Sequence, residues 1–462
     1  MFYGYAMNAL NTKIRHFADE LALVQTKGCQ KAASEVLQHY IKTVEKHALM
    51  ARVYEAYLNG RVEEQTFYTD ALLETNIEAD EFETTCITVI DFRRDIREII
   101  EILKCNSNNL FHLIPSITKG LPFVHRSFRD FSDLALLDEK EILNLFQNVP
   151  EWLSPFMNAL IAGINYEKGN FEYAVYFNQF AFEGLTKDTP PEISCSLKIM
   201  QAVLNDTEPS ALHTSSFTRN IQTYKARKRF KQGDSVACEK WLAKNYTNPI
   251  KRILLDDIYT CLTTARALLL KGEPEQALLL LAKLRRLAVL YNRPLDIIET
   301  DILRVIAYNM NKNSKKALEA MSSALIIAQK YGFTTIFINE ARDIYTTLND
   351  LAFHITRSGE THGIDSVFLS HICNKTSKKL SKNFIHNLYN KQPSVKLTAK
   401  QVRLAEMLNK GYSYQEISKS LGVTHATAKS YLRELYNKLG AFNADEALDE
   451  LYKLGILREG VF

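Results

Sequence analysis

Between Ser413 and Leu439 the sequence sets out side chains whose chemistry is recognition rather than catalysis. Drawn as a helix at about 100° per residue, Lys429, Ser430, Arg433 and Asn437 share one arc, with Ala426 inside it. Ala428, Tyr431, Leu432, Leu435 and Leu439 fall on the other side. The polar arc is small, cationic and rich in hydrogen-bond donors. Such a face suits the major groove of duplex DNA, where Lys and Arg reach guanine O6 and N7. No catalytic pattern competes with it. HExxH, GxSxG and GxGxxG do not occur, and the 11 His form no i, i+4 metal pairs. The chain is therefore expected to be no enzyme and to hold neither a metal nor a cofactor. The stretch His125-Arg-Ser-Phe-Arg-Asp130 invites comparison with a kinase catalytic loop, but no Gly-rich loop precedes it and no DFG follows. It is expected to be a loop or a capped helix start.

The elements that must position the basic arc can be placed from their caps. Thr398-x-x-Gln401 is a capping box, followed by Val402, Leu404, Ala405 and Leu408 before Gly411 ends the helix. Ser413-x-x-Glu416 opens a second helix through Ile417 and Leu421 to Gly422. Thr424 starts a third, which runs to Gly440. Asn443-x-x-Glu446 opens a fourth, with Ala447, Leu448 and Leu451, ended by Gly455. The second and third have the spacing of a helix-turn-helix. Upstream, 375–395 is Lys-rich, contains no acid and ends at Gln392-Pro393-Ser394; it reads as a basic linker with room for a short helix. Residues 375–438 carry thirteen Lys/Arg against Glu406, Glu416 and Glu434, within a chain whose net charge is only +4. One basic module on a mildly acidic body implies an anionic partner for that module.

The segment from Leu397 to Ala447 resembles the LuxR/NarL/GerE-type DNA-binding domain, nearly in register and without gaps. The matching positions include Thr427-Ala-Lys429 on the third helix and Lys438-Leu-Gly440 at its end. Departures are Gln401 for the usual Glu, Ala428 for Val before the key Lys, and Tyr414 for the Asn after Ser413. Gln401 keeps the cap and loses a carboxylate. The resemblance implies that Lys429, Ser430 and Arg433 face base edges. It implies that Thr424, His425, Thr427 and Lys438 hold phosphates, and that Leu448, Leu451 and Tyr452 on the fourth helix serve a homodimer on double-stranded DNA.

The remainder reads as helix almost throughout. The chain has 462 residues, with 46% apolar, 24% charged, 17 Gly and 11 Pro. That composition favours long helices over a turn-rich β-protein. Phe230-Lys-Gln-Gly233-Asp-Ser-Val-Ala237, Leu270-Lys-Gly272-Glu-Pro-Glu-Gln-Ala277 and Met310-Asn-Lys-Asn313-Ser-Lys-Lys-Ala317 place three alanines at a 40-residue period. Lys168-Gly169-Asn-Phe-Glu-Tyr-Ala174 is an earlier copy off that register, and weaker copies fall at Asn59-Gly60 and Asp206–Ala211. Each copy fits helix, turn, helix, with Gly or Asn in a left-handed turn and Ala where the helices approach. These repeats resemble tetratricopeptide repeats. With the C-terminal domain they are similar to MalT-like regulators, a likeness strongest over 235–345 and including Tyr331-Gly-Phe-Thr-Thr-Ile-Phe-Ile-Asn-Glu340. Those regulators carry an NTPase, yet no G-x4-G-K-[ST] occurs in this sequence.

The expected fold is therefore all-α: an α-solenoid followed by a four-helix LuxR-type domain. The expected division is 1–150 (helical, solenoid start or cap), 151–374 (repeats), 375–395 (linker) and 396–462 (helix-turn-helix). The repeats are expected to sense a small molecule or a protein partner on a concave surface. The aromatics Tyr166, Phe171, Tyr173, Tyr176, Phe177 and Phe180 are expected to be inter-helix core rather than pocket lining. Seven Cys without a CxxC, no continuous apolar run of membrane length and no signal-peptide pattern point to the cytoplasm. The competing reading is a helical-repeat interaction scaffold with a helix-turn-helix that does not bind DNA. A scaffold gives no reason for the Lys429/Arg433 face.

Overall fold

The 40-residue period is realised as pairs of antiparallel helices. The computed structural model describes 61–74, 91–105, 123–209, 218–246, 253–390 and 397–453, less a few single positions, together with Arg52, Val53, Glu55 and Ala56. The Asn59-Gly60 copy, Cys29, Cys86, the stops at Gly440 and Gly455, and Gln392-Pro393-Ser394 lie outside the described residues. In chain order the helices are α1 (Val62–Glu74), α2 (Ile96–Cys105), α3 (Glu139–Phe146), α4 (Ser154–Lys168), α5 (Phe171–Glu183), α6 (Pro191–Leu204), α7 (Thr218–Lys231) and α8 (Ser235–Asn245). There follow α9 (Ile258–Lys271), α10 (Pro274–Leu290), α11 (Pro294–Met310), α12 (Ser314–Tyr331), the short α13 (Thr335–Asn339), α14 (Ala341–Ser358) and α15 (Ser366–Asn390). The last four are α16 (Ala399–Asn409), α17 (Tyr414–Leu421), α18 (His425–Leu439) and α19 (Ala444–Lys453). No strand occurs among the described residues.

The repeat alanines do what their size allows. Ala174, Ala237, Ala277 and Ala317 are all buried where the second helix of a pair lies on the first. The turns before them hold a left-handed residue: Gly169, Gly233 and Gly272 have φ of 81°, 78° and 84°. In the third copy the expectation fell on the wrong residue. Lys312 takes the left-handed conformation at φ 55°, and Asn313 is the N-cap, its side chain accepting from the Lys316 N–H at 3.2 Å.

Consecutive helices from α8 to α12 pack on one another, as α4 does on α5. One apolar core runs from Val53 through Ile99, Leu160, Leu268 and Leu325 to Ile372, so the described part of 1–150 shares the core of the repeats. The last turn of α4 also meets the far end of the array. The Thr334 N–H donates to the Glu167 carbonyl at 2.8 Å, and the Thr334 hydroxyl donates to the Lys168 carbonyl at 2.9 Å.

One expectation is corrected and two are made more specific. First, the aromatics expected as inter-helix core are not buried: Phe171 is exposed, and Tyr166 and Phe177 are only half-buried. Tyr173, Tyr176 and Phe180 stand exposed, with the Tyr176 and Phe180 rings stacked 6.2 Å apart. The buried stripe of α5 is instead Ala174, Asn178 and Ala181, whose small volume lets α5 lie close to α4. Second, the Lys-rich stretch expected to be a linker is helical to Asn390, because α15 continues through it. Lys is a good helix former and no Gly or Pro interrupts the run. Third, 123–131 is a loop, as one of its two readings had it, but a buried one. Arg126 and Asp130 form an isolated antiparallel bridge, and His125, Arg126, Ser127 and Arg129 are buried.

The chain divides after Cys373 into two compact units. The second has its own core, built from Leu404, Ile417, Ala428, Leu432, Leu435 and Ala447 among others.

Candidate nucleic-acid interface

The second unit is assembled from the caps inward. At the start of α16 the Gln401 N–H donates to Thr398 Oγ1 at 3.3 Å, and the Thr398 N–H donates to Gln401 Oε1 at 3.0 Å. At the start of α17 the Ser413 N–H donates to Glu416 Oε2 at 2.8 Å, and the Glu416 N–H donates to Ser413 Oγ at 3.4 Å. The Ser413 hydroxyl, donating to Glu416 Oε2 at 2.7 Å, and the Ser413 N–H hold the Glu416 carboxyl below its ordinary value, so it stays ionised at the positive end of the helix. Gly422, at φ 62°, makes the tight turn that frees α18 to cross α17. Thr424 caps α18, its hydroxyl accepting from the Thr427 N–H at 3.2 Å. At α19 the Glu446 N–H donates to Asn443 Oδ1 at 2.8 Å. The boxes and caps read from the sequence are thus present, bond for bond.

With α18 held this way, its two faces separate. Ala428, Leu432, Leu435 and Leu439 are buried against α16, α17 and α19. Lys429, Ser430 and Arg433 are exposed, and among the described residues their side chains have neither a hydrogen bond nor an ion pair. Among the described residues, three donors thus stand free on one exposed helix face at the end of a short turn.

The residues expected at phosphates are placed less uniformly. Thr424 and His425 are exposed at the N-terminus of α18. Thr427 is half-buried, with its hydroxyl 2.7 Å from that of Thr424. Lys438 is exposed, and its ammonium donates to Gln401 Oε1 at 3.1 Å. Gln401 therefore joins the first helix to the end of the third, a role that its place in a capping box did not disclose. Because the acceptor is an amide, the bond leaves the Lys438 charge uncancelled. Lys400 adds a cation on the same unit, its ammonium 3.3 Å from the centre of the half-buried Tyr431 ring.

The expected dimer contacts on α19 need one correction. Leu451 is wholly buried in the core of this unit, because it lies one helical turn from Ala447 on the same inward stripe. It cannot also face a partner. Leu448 is half-buried against that core, and the side chain of Tyr452 lies outside the described residues.

Comparison with known proteins agrees with this geometry. Residues 192–353 match the family described as MalT-like TPR region, and residues 395–451 match the bacterial regulatory proteins of the luxR family. An HTH-type transcriptional regulator MalT from Vibrio campbellii is 25% identical over 157 residues, covering 32% of this chain and 17% of that protein. The protein of the same name from Klebsiella pneumoniae is 26% identical over 201 residues, covering 41% of this chain and 22% of that protein. The chain thus spans about a fifth of the length of the curated relatives it matches. The chain thus carries repeats that match the MalT-like TPR region and a capped, basic helix-turn-helix that matches the luxR family.

Proposed function

We propose that the chain is a transcription regulator that binds duplex DNA sequence-specifically, with α18 in the major groove. The observation that carries this reading is the split of α18 into a buried apolar stripe and the exposed Lys429, Ser430 and Arg433. In this reading Lys429 and Arg433 donate to guanine O6 and N7, and Ser430 to an adjacent base edge. Thr424, His425, Thr427 and Lys438 contact phosphates, helped by the helix N-terminus at Thr424–His425. The DNA-bound form is a homodimer through the outer face of α19, with Leu448 and Tyr452 in the contact and Leu451 behind it. The repeats receive the signal, a small molecule or a protein. The protein works in the cytoplasm; among the described residues no helix is long and apolar enough to cross a membrane.

The test is binding of the full chain to a labelled fragment of its own upstream DNA, with an unrelated fragment as competitor, across a salt series. Preference for one fragment, with affinity falling steeply as salt rises, is the expected result. Binding that is weak, or indifferent to sequence, sinks the reading in favour of an interaction scaffold.

A further inference from the structure

The first helices of successive pairs turn charged side chains toward one buried centre. Arg227 comes from α7, Arg266 from α9, Asp296 and Glu299 from α11, and Glu340 from the end of α13. The repeats hold their own carboxylates in a set pattern. Glu299 Oε1 accepts from Arg227 Nη1 at 2.8 Å and from Arg266 Nη2 at 3.0 Å. Asp296 Oδ2 accepts from Arg293 Nε. Each of these two carboxylates therefore spends one oxygen on the repeats and turns the other inward.

Both inward oxygens are filled by a single guanidinium. Arg126 donates from Nε and Nη2 to Asp296 Oδ1 at 2.8 and 2.6 Å, and from Nη2 to Glu299 Oε2. It belongs to the loop 123–131, whose described residues make turns and one bridge. The loop folds back on itself, the Arg126 N–H donating to the Phe123 carbonyl at 3.1 Å and the Phe131 N–H to the His125 carbonyl at 3.0 Å, and it is seated on the repeats by backbone and side-chain bonds. The Val124 N–H donates to Ser196 Oγ at 2.9 Å, and Arg293 Nη1 donates to the Ser127 carbonyl at 2.6 Å. His125 lies on the backbone of Gly163 in α4, with Nε2 3.4 Å from Glu167 Oε1. A methyl group at Gly163 would sit 1.8 Å from His125 Nδ1. That buried Nδ1 has no hydrogen-bond partner among the described residues.

Val124 and Phe131 anchor the ends of the loop in the apolar core, but its middle is held by charge, which is a poor way to build a core. Burying ion pairs adds little stability over apolar side chains of similar volume, because each ion must be stripped of water. The arrangement is instead that of a receptor: fixed acceptors of a single geometry, preset by their neighbours, around a guanidinium fork. Burial works against the charge of Glu299, yet Arg227, Arg126 and Arg266 hold its carboxyl well below the ordinary range, so the receptor keeps its charge at neutral pH.

We propose that the inner face of the repeats is a binding site for an arginine-bearing peptide folded into a turn, and that 123–131 is a strap filling that site in cis until such a peptide displaces it. This names the effector class for the repeats and rests on the reading that they receive a signal. Peptide binding is measured without DNA, so its failure leaves the DNA-binding reading untouched.

The probe is a fluorescent synthetic peptide with the sequence of 122–132, added in trans to the full chain. The variant H125A/R126A unseats the strap and leaves every receptor residue in place. The peptide is expected to bind this variant roughly tenfold or more tightly than the unaltered chain. A peptide with Ala at the position of Arg126 is expected not to bind. Equal binding to both proteins, binding to neither, or indifference to the peptide's arginine overturns the proposal. Gly163→Ala supplies a second reading should the double variant fail to fold. It favours the α4 helix intrinsically, but its methyl group must expel the His125 ring. Hydrogen exchange in the full chain should then show lost protection over 124–131, with α9 to α12 unchanged. Loss of protection throughout the unit would make the loop an ordinary part of the core and end the proposal.

Discussion

Single atoms decide how the basic face of α18 is tuned. Lys429 is exposed and, among the described residues, makes no hydrogen bond or ion pair, so its removal tests recognition without disturbing the fold. Lys429→Ala is expected to weaken binding to the preferred fragment by roughly 1–3 kcal/mol and to leave unrelated DNA nearly unaffected, read in a competition gel-shift. Lys438 differs because Gln401 already accepts from it. Lys438→Ala should weaken all sequences alike and lower the slope of log K against log salt by roughly one. Gln401→Glu should act the same way on the slope, since a carboxylate at 401 would neutralise Lys438, while keeping the helix cap. An unchanged slope for both variants would remove Lys438 from the phosphate contacts. The replacement of the usual acid by Gln401 thus has a physical consequence: the cap survives and the cation stays available.

At the scale of the element, the helix-turn-helix is held by reciprocal caps more than by length. α17 spans only Tyr414–Leu421, too short to persist by itself. It is fixed by the Ser413–Glu416 box at one end and Gly422 at the other. Ser413→Ala should therefore cost about 1 kcal/mol in the unfolding of the second unit, measured by thermal or urea denaturation. Its effect on the salt slope of DNA binding should be nil, because no phosphate-facing cation changes. The α5 helix shows the opposite case. Its aromatic residues suggested a packing face, but packing selected the smaller Ala174, Asn178 and Ala181 and turned Tyr173, Tyr176 and Phe180 outward.

For the molecule as a whole, the buried charges of the repeat unit set its response to acid. The Asp296, Glu299 and Glu340 carboxyls are burdened by burial, yet neighbouring arginines hold all three below their ordinary values. A carboxyl with a depressed folded pKa contributes stability that is complete above its unfolded value, about 4. That contribution is lost as pH falls through the folded value. Asp130, raised by burial, opposes them: the folded state takes its proton first, which stabilises as pH falls. Three groups outweigh one. The melting temperature of the first unit is expected to be flat from about pH 7 to 5 and to drop steeply below about 4. Circular dichroism melts across that range check it, and a melting point that rises from pH 5 to pH 3 would contradict the assignment.

The sequence by itself determined whatever depends on neighbours within one or two helical turns. The four caps at Thr398, Ser413, Thr424 and Asn443, the turn at Gly422 and the two faces of α18 were all legible, because a cap joins residues three apart and an amphipathic face repeats every few residues. The 40-residue period was legible for the same reason, since each Ala answers to its own turn. Partners distant in sequence were not. Arg126 meets Asp296 across 170 positions, and Lys438 meets Gln401 across 37. Nothing local in His125–Asp130 distinguishes a solvated loop from one sealed inside the repeats. Only the tertiary structure brings α7, α9 and α11 to a common centre, and there the need to pair every buried charge decides which guanidinium enters. The buried place of Leu451 was settled likewise, by how α19 rotates to close the core of the second unit.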